Sequence, residues 1–285
     1  MTLVSGVLGD LIERFTGAGI APAAAEAELV VGHVAGWSRG EVASKAFIGA
    51  ELSGEQLAEI EKIASRREKR EPLQHILGTA PFRSLVLEVG PGALVPRPET
   101  ELVAELAIEA LRQVPNDKPV AVDLGTGSGA LALSLATEVQ NSIVYAVELS
   151  PDAHSIAKAN IDRLGNDRVT LALGDAGTAF PELDGTVDVV VTNPPYLLDD
   201  QIPEDIEVSL HEPALALYGG KDGLRDITNF LKTAARLLRP GGTVVMEHGE
   251  HQGAASREIA VAAGFRMTVT HRDLLHRDRV LTAVR

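Results

Sequence analysis

The sequence predicts an α/β protein: a doubly wound, mostly parallel seven-stranded sheet, preceded by a small helical N-terminal domain and joined to it by a β-hairpin. Three observations carry that prediction. From Val120 onward, short apolar runs rich in Val and Ile alternate with amphipathic helical stretches, as a parallel sheet with crossover helices requires. The first seventy or so residues show helical periodicity only. With 285 residues, 45% of them hydrophobic, the chain can bury the core of one large domain and one small one.

In the helical region, Val4, Val7, Leu8, Leu11, Ile12 and Phe15 recur at three- and four-residue spacing and give a first helix one apolar face. Residues 17–21 break it, and Pro22 can open a second helix whose apolar side includes Ala27, Val30, Val31 and Val34. Ser53 with Gln56 reads as a capping box ahead of Leu57, Ile60 and Ile63. Short helices with short connections predict a bundle over residues 1–75. Lys62, Arg66, Arg67, Lys69 and Arg70, interleaved with Glu61, Glu68 and Glu71, read as a solvated helix face.

Residues 76–100 are expected to hold the hairpin linker, with strands over 84–89 and 93–95 around Gly90-Pro91-Gly92. Pro96-Arg97-Pro98-Glu99-Thr100-Glu101 then forms a rigid turn into a helix that runs to about Leu111, with Thr100 as its N-cap. The sheet domain occupies 101–285. Its strands are predicted over 120–124, 143–147, 169–173, 187–192, 243–248, 265–271 and 279–284. Its later helices are 130–139, one opened by Ser150-Pro151, 224–238 behind a possible Asp222 cap, and 254–263. Only a short polar stretch separates the last two strands, which makes them an antiparallel pair, since a parallel return needs a crossover.

Bulk composition narrows the function. There is no cysteine, so disulfides and thiolate chemistry are absent, in keeping with a reducing cytoplasm. No apolar run approaches membrane-spanning length, and Asp10 and Glu13 interrupt the first apolar stretch, so neither a span nor a signal peptide is expected. A formal net charge of −14 disfavours binding that depends on neutralising many phosphates, and it permits small molecules or basic proteins as partners.

Two motifs carry the chemistry. Asp123-Leu124-Gly125-Thr126-Gly127-Ser128-Gly129-Ala130 lies between the first strand of the sheet and its helix. Glycines there let the backbone turn sharply and approach a ligand held against the helix N-terminus. By spacing alone the loop suits a nicotinamide, a flavin or S-adenosylmethionine. Glu148 ends the next strand and suits ribose hydroxyls in each case; Asp175 ends the third, where it could hold an adenine amino group or cap the following turn. The fourth strand ends in Asn193-Pro194-Pro195-Tyr196. Each proline fixes its own φ and pushes the preceding residue towards extended geometry, so the corner is stiff. It could merely terminate a strand. It could also present the Asn193 amide and the Pro194 carbonyl to a planar NH2 group, with the Tyr196 ring alongside. No constellation for hydride transfer accompanies the glycine loop, whereas this corner supplies what positioning a methyl acceptor needs. Glu247, His248, Glu250 and His251 crowd together but lack helical ligand spacing, so no metal is expected.

Asp123 to Gly129 together with Asn193 to Tyr196 resembles the class I, Rossmann-like S-adenosylmethionine methyltransferases that modify planar nitrogens. Four further stretches are similar to the release-factor glutamine methyltransferases (HemK/PrmC family): Glu71 to Gly78, Pro96 to Glu101, Glu212 to Leu217 with Asp222 to Leu224, and Asp273-Leu274 with Asp278-Arg279. The resemblance covers almost the whole chain. It implies methylation of the side-chain amide nitrogen (N5) of glutamine in the Gly-Gly-Gln loop of peptide-chain release factors, by a cytoplasmic monomer whose helical domain docks the protein substrate.

By the same resemblance, Gly125, Thr126, Gly127, Ser128 and Gly129 line the methionine and ribose part of S-adenosylmethionine. Glu148, longer than the family's common Asp, takes the ribose, and Asp175 lies near adenine, followed by Ala176 where an aromatic is frequent. Asn193 also borders the cofactor. Asn193, Pro194, Pro195 and Tyr196 hold the acceptor, and Asn193, Pro194 and Tyr196 act in transfer. The alternative enzyme is an adenine-N6 or guanine-N2 nucleic-acid methyltransferase, which usually needs a basic groove. A non-catalytic binder that retains the pocket as scaffold is the remaining reading.

Overall fold

A computed structural model describes residues 1–165 and 167–285. The chain divides into two compact units, Met1–Thr79 with Pro203–His211, and Ala80–Ile202 with Glu212–Arg285.

The first unit is helical. β1 (Thr2–Leu3), α1 (Val4–Gly17), α2 (Ala23–Ala35), α3 (Arg39–Phe47), β2 (Glu51–Leu52), α4 (Gly54–Arg67) and α5 (Leu73–Leu77) follow one another, and β1 pairs antiparallel with β2. The apolar stripe of α1 (Val4, Val7, Leu11, Phe15) packs with Ala27, Val30 and Val31 of α2 and with Ile60 and Ile63 of α4. The Ser53–Gln56 capping box forms as the sequence predicts, and Ser38 with Glu41 makes a second. The basic cluster is not wholly a solvated face. Arg67 is buried, held by Glu26 at 2.6 Å and by Glu207 of the 203–211 segment at 2.8 Å. Arg70 reaches the other Glu207 oxygen at 2.7 Å.

The second unit opens at Ala80, within β3 (Thr79–Phe82), which pairs with β4 (Leu85–Glu88) as a two-stranded sheet. The turn lies at Arg83-Ser84, upstream of the predicted Gly90-Pro91-Gly92, and 93–95 is not a strand. Arg83 takes a left-handed φ of 51°, a conformation that its residue type does not signal. It is held there by Glu101, which accepts its N–H at 3.0 Å, and by Glu138, which accepts its guanidinium at 2.5 and 2.8 Å.

Then come α6 (Thr100–Arg112), β5 (Val120–Leu124), α7 (Ala130–Glu138), β6 (Ile143–Glu148), α8 (Pro151–Leu164), β7 (Val169–Leu173) and β8 (Val187–Thr192). The chain passes through α9 (Ile206–His211), part of the first unit, and continues with α10 (Ala214–Leu217), α11 (Arg225–Leu237), β9 (Leu238–Glu247), α12 (Gly253–Ala262), β10 (Arg266–Arg272) and β11 (Asp278–Val284).

The seven-stranded sheet has the order β10-β11-β9-β8-β5-β6-β7. Neighbours from β9 to β7 are parallel, and β11 runs antiparallel to both β9 and β10, as predicted for the last pair. Alternate residues face opposite cores. Ala121, Val189, Val191 and Val245 pack with α6 and α7; Val122, Leu124, Val190, Val244 and Met246 pack with α11 and α12. Burial on both faces explains why these segments read as largely apolar runs, interrupted in β5 and β8 by the buried Asp123 and Asp188. The order reverses on either side of β5, which places a crevice outside the C-terminal ends of β5, β6 and β8.

Asn160 on α8 ties the hairpin to this crevice. Fully buried, it donates to Glu88 O (2.9 Å) and Ser128 O (3.0 Å) and accepts from Glu88 N (2.7 Å). Asn160→Ala removes partners from these groups and is expected to cost about 2–3 kcal/mol, seen as a lower urea midpoint at an unchanged m-value.

Candidate active site

The loop after β5 is shaped by its glycines. Gly125, Gly127 and Gly129 all have left-handed φ, at 71°, 57° and 88°. Gly125 is doubly constrained, since a Cβ there would also lie 3.3 Å from the Phe230 ring of α11. Two buried carboxylates hold the loop. Asp123 Oδ2 accepts from Thr126 Oγ1 (2.6 Å) and Ala132 N (3.1 Å). Its Oδ1 is buried and has no partner among the described residues, and burial pushes the Asp123 pKa up to about 7. Glu148 accepts from Gly127 N through one oxygen (2.8 Å) and from Ser150 N through the other (2.9 Å). A carboxylate offers about four lone-pair sites, so two remain for a ligand.

The corner after β8 is braced from several sides. Thr192 Oγ1 donates to Leu124 O at 2.7 Å, fastening the ends of β8 and β5. Gln252 Nε2 donates to Tyr196 O at 2.9 Å, Leu197 N to Leu217 O at 2.9 Å, and Gly219 N to Leu197 O at 2.8 Å. A Cβ on Gly223 would collide with the Tyr196 carbonyl, and one on Gly219 would lie 2.5 Å from Pro195 O. Thr100 does not cap α6. The helix begins at Thr100 itself, and its hydroxyl donates instead to Glu247 Oε2 at 2.6 Å while Asn193 Nδ2 approaches it at 3.2 Å. The Tyr196 hydroxyl donates to Glu247 Oε1 at 3.1 Å. Burial, and then the Glu247 charge, push the Tyr196 pKa up; burial pushes Glu247 up as well.

These elements border one cavity of about 310 Å³. Of the residues read from the sequence, Gly125, Thr126, Gly127, Ser128, Glu148, Asp175, Asn193 and Pro195 are in its walls; Gly129, Pro194 and Tyr196 are not. Asp175 accepts from Gly177 N at 2.8 Å, so it caps the turn while also bordering the cavity. Ala176 lines the wall beside it. Among the described residues, neither Asn193 Oδ1 nor Pro194 O accepts a hydrogen bond. Of the His-rich stretch, Glu247 faces Thr100 and Tyr196, His248 Nδ1 sits 2.8 Å from Gly249 O, and the exposed His251 pairs with Glu250.

Several cavity residues escaped the sequence reading. Phe230 and Asn229 come from α11, where Phe230 follows the apolar stripe and reads as core. Arg97 also lines the cavity and donates to Glu212 Oε1 at 3.0 Å. Glu212, whose pKa burial raises, also accepts from Val95 N at 3.3 Å. The sequence signals for that pair are Arg97 between two prolines and the two family-like stretches that contain its members, Pro96 to Glu101 and Glu212 to Leu217.

The "PrmC N-terminal domain" family model matches residues 7–78, and a "Methyltransferase domain" model matches 115–271. A Streptomyces coelicolor protein named release factor glutamine methyltransferase is 45% identical over 285 residues, covering 99% of this chain and 98% of that one. The chain belongs to the release factor glutamine methyltransferase family. A second relative at 38% identity, covering 98% of this chain and 94% of its own, is a Streptomyces pristinaespiralis protein named 4-amino-L-phenylalanine/4-methylamino-L-phenylalanine methyltransferase. A solved methyltransferase from Pyrococcus furiosus matches with TM-score 0.50 at 24% identity, covering 70% of this chain and 87% of that one, which shows a shared fold.

S-adenosylmethionine is the cofactor of this methyltransferase, and the cavity fits it. Glycines without Cβ atoms leave a cradle, Glu148 keeps free lone pairs in the wall, and Phe230 sets an aromatic ring beside Gly125. The buried acid gives a test without the cofactor. An aspartate whose folded pKa exceeds its unfolded value stabilises the fold fully below the unfolded pKa and loses that contribution as pH rises through the folded one. For Asp123 the window runs from 3.8 to about 7. Wild-type stability should fall across it by up to about 4 kcal/mol relative to Asp123→Asn, which stays neutral. Paired chemical denaturation curves at pH 4 and pH 7.5 check the difference.

Proposed function

We propose that this enzyme transfers a methyl group to the side-chain amide nitrogen (N5) of the glutamine in the Gly-Gly-Gln motif of peptide-chain release factors. The observation that carries the reading is a pair of acceptors, Asn193 Oδ1 and Pro194 O, that take no hydrogen bond from any described residue, on a corner that proline geometry and the Gln252 and Gly219 hydrogen bonds hold still. Two N–H groups of a primary amide match two acceptors. An amide nitrogen is a poor nucleophile because its lone pair is delocalised into the carbonyl. Hydrogen bonds from its N–H groups to Asn193 and Pro194 raise the electron density on nitrogen; neither amide oxygen is basic enough to keep a proton, so the one displaced by the methyl group passes on to solvent.

The bound cofactor supplies an electrophilic sulfonium methyl group. The protein's own contribution is orientation and preorganised dipoles, for which near-attack positioning is worth up to about 7–11 kcal/mol. Tyr196 stiffens the corner through Glu247 and flanks the acceptor plane. Pro195 borders the cavity and sets the path of the backbone.

The enzyme acts as a monomer in the cytoplasm, where release factors work; no described helix is long and apolar enough to cross a membrane. The helical unit docks the protein substrate, and the exposed Phe47 and Ile48 (92% and 67%) suit that task. Replacing both with Glu should raise KM for intact release factor and leave KM for a short Gly-Gly-Gln peptide unchanged.

A second reading, methylation of a free aromatic amine, is favoured by the 38% identical Streptomyces pristinaespiralis relative. Labelled cofactor offered with release factor, 4-amino-L-phenylalanine, DNA and RNA separates these readings. Label is expected in the release-factor glutamine; label only in the amino acid or nucleic acid overturns the proposal. Asn193→Ala should lower transfer about 10²–10³-fold with cofactor affinity nearly intact.

A further inference from the structure

Glutamine methylation as proposed above needs the Asn193 carboxamide to present its oxygen, and not its nitrogen, to the acceptor N–H. The two ends of a carboxamide have nearly the same shape, so packing alone does not choose between them. A chain of hydrogen bonds can. Glu247 lies at the end of β9 and is 1% exposed; ionised, it only accepts. The single proton of the Thr100 hydroxyl goes to Glu247 Oε2 at 2.6 Å. The Thr100 oxygen is then an acceptor for its remaining neighbour, and Asn193 Nδ2 stands 3.2 Å away. The amide nitrogen is thereby committed to Thr100, and Oδ1 is left towards the crevice with no partner among the described residues. The other Glu247 oxygen accepts from Tyr196. One carboxylate therefore holds both polar side chains of the corner.

We infer that Glu247, acting through Thr100, is a positioning residue that fixes which end of the Asn193 amide faces the methyl acceptor. The inference rests on the proposed glutamine reaction but concerns residues outside the Asn-Pro-Pro-Tyr corner, one on β9 and one opening α6. The direction of the chain follows from the carboxylate being unable to donate. Burial and the nearby Glu99 oppose the ionised form of Glu247, while the two hydroxyls that converge on its oxygens, from Thr100 and Tyr196, and Arg279 on β11 favour it. An N–H at the Glu247 position would let the Thr100 hydroxyl turn and donate to Asn193 Oδ1, and the amide would then offer its NH2 group to the substrate.

The full-length enzyme tests this with Thr100→Val, which removes the hydroxyl at similar volume, Thr100→Ser, which keeps it, and Glu247→Gln. Cofactor affinity, melting temperature, and kcat and KM for release-factor methylation are measured for each. Thr100→Val and Glu247→Gln should lower kcat about 10²-fold, with cofactor affinity and melting temperature close to wild type, and Thr100→Ser should restore most of the rate. A purely packing role for Thr100 would move the melting temperature and would not separate Val from Ser. Thr100→Val with near wild-type kcat, in an assay where Asn193→Ala is inactive, overturns the inference. Should Thr100→Val fail to fold, Glu247→Gln decides by the same criterion. Wild-type enzyme that leaves release factor unlabelled overturns the substrate reading instead, and the variants are then compared on whichever N–H acceptor takes the label.

Discussion

Where parallel strands stop, their loops still carry N–H groups, and buried ones need partners. This enzyme gives much of that work to carboxylates at the C-terminal ends of β5, β6 and β9. Asp123 takes an N–H of α7 and the Thr126 hydroxyl, Glu148 takes N–H groups from the loops after β5 and β6, and Glu247 takes the hydroxyls of Thr100 and Tyr196 beside the Asn-Pro-Pro-Tyr corner. Burying such groups is unfavourable unless each is hydrogen-bonded. Satisfying them fixes the loops, so the ligand edge is rigid because its acids are.

Much of this architecture is legible in the amino-acid order because it depends on local chemistry. β5, β6, β7 and β8 announce themselves as apolar runs, and Ser150-Pro151 marks the start of α8 through a hydroxyl cap, observed at 3.4 Å from Ala153 N. The antiparallel placement of β10 and β11 follows from a connection too short for a crossover. The glycine loop and the Asn-Pro-Pro-Tyr corner are readable for the same reason: few residue types can adopt those backbones.

What was not legible depends on partners far away in the chain. The hairpin turn sits at Arg83, whose left-handed backbone is secured by Glu101 and Glu138 and not by any turn residue. Thr100 has the residue type of a cap, yet its hydroxyl is claimed by a glutamate 147 positions later. Arg67 looked like one more surface cation among several. It is buried because Glu26 and Glu207 approach from 41 and 140 residues away, which also explains why 203–211 groups with the helices. Phe230 is hidden for a different reason: on a helix stripe, an aromatic that lines a cavity has the same spacing as one that fills a core.

The proline that follows Asn193 has a further consequence, for chemical lifetime. Asparagine ordinarily ages when the next residue's backbone nitrogen attacks the side-chain carbonyl and closes a five-membered imide, which opens to aspartate or isoaspartate. Pro194 offers a tertiary nitrogen with no hydrogen to lose. The imide cannot close, so the carboxamide to which the proposed transfer assigns the methyl acceptor is shielded from the commonest spontaneous damage to its residue type, and the proline that stiffens the corner also preserves it.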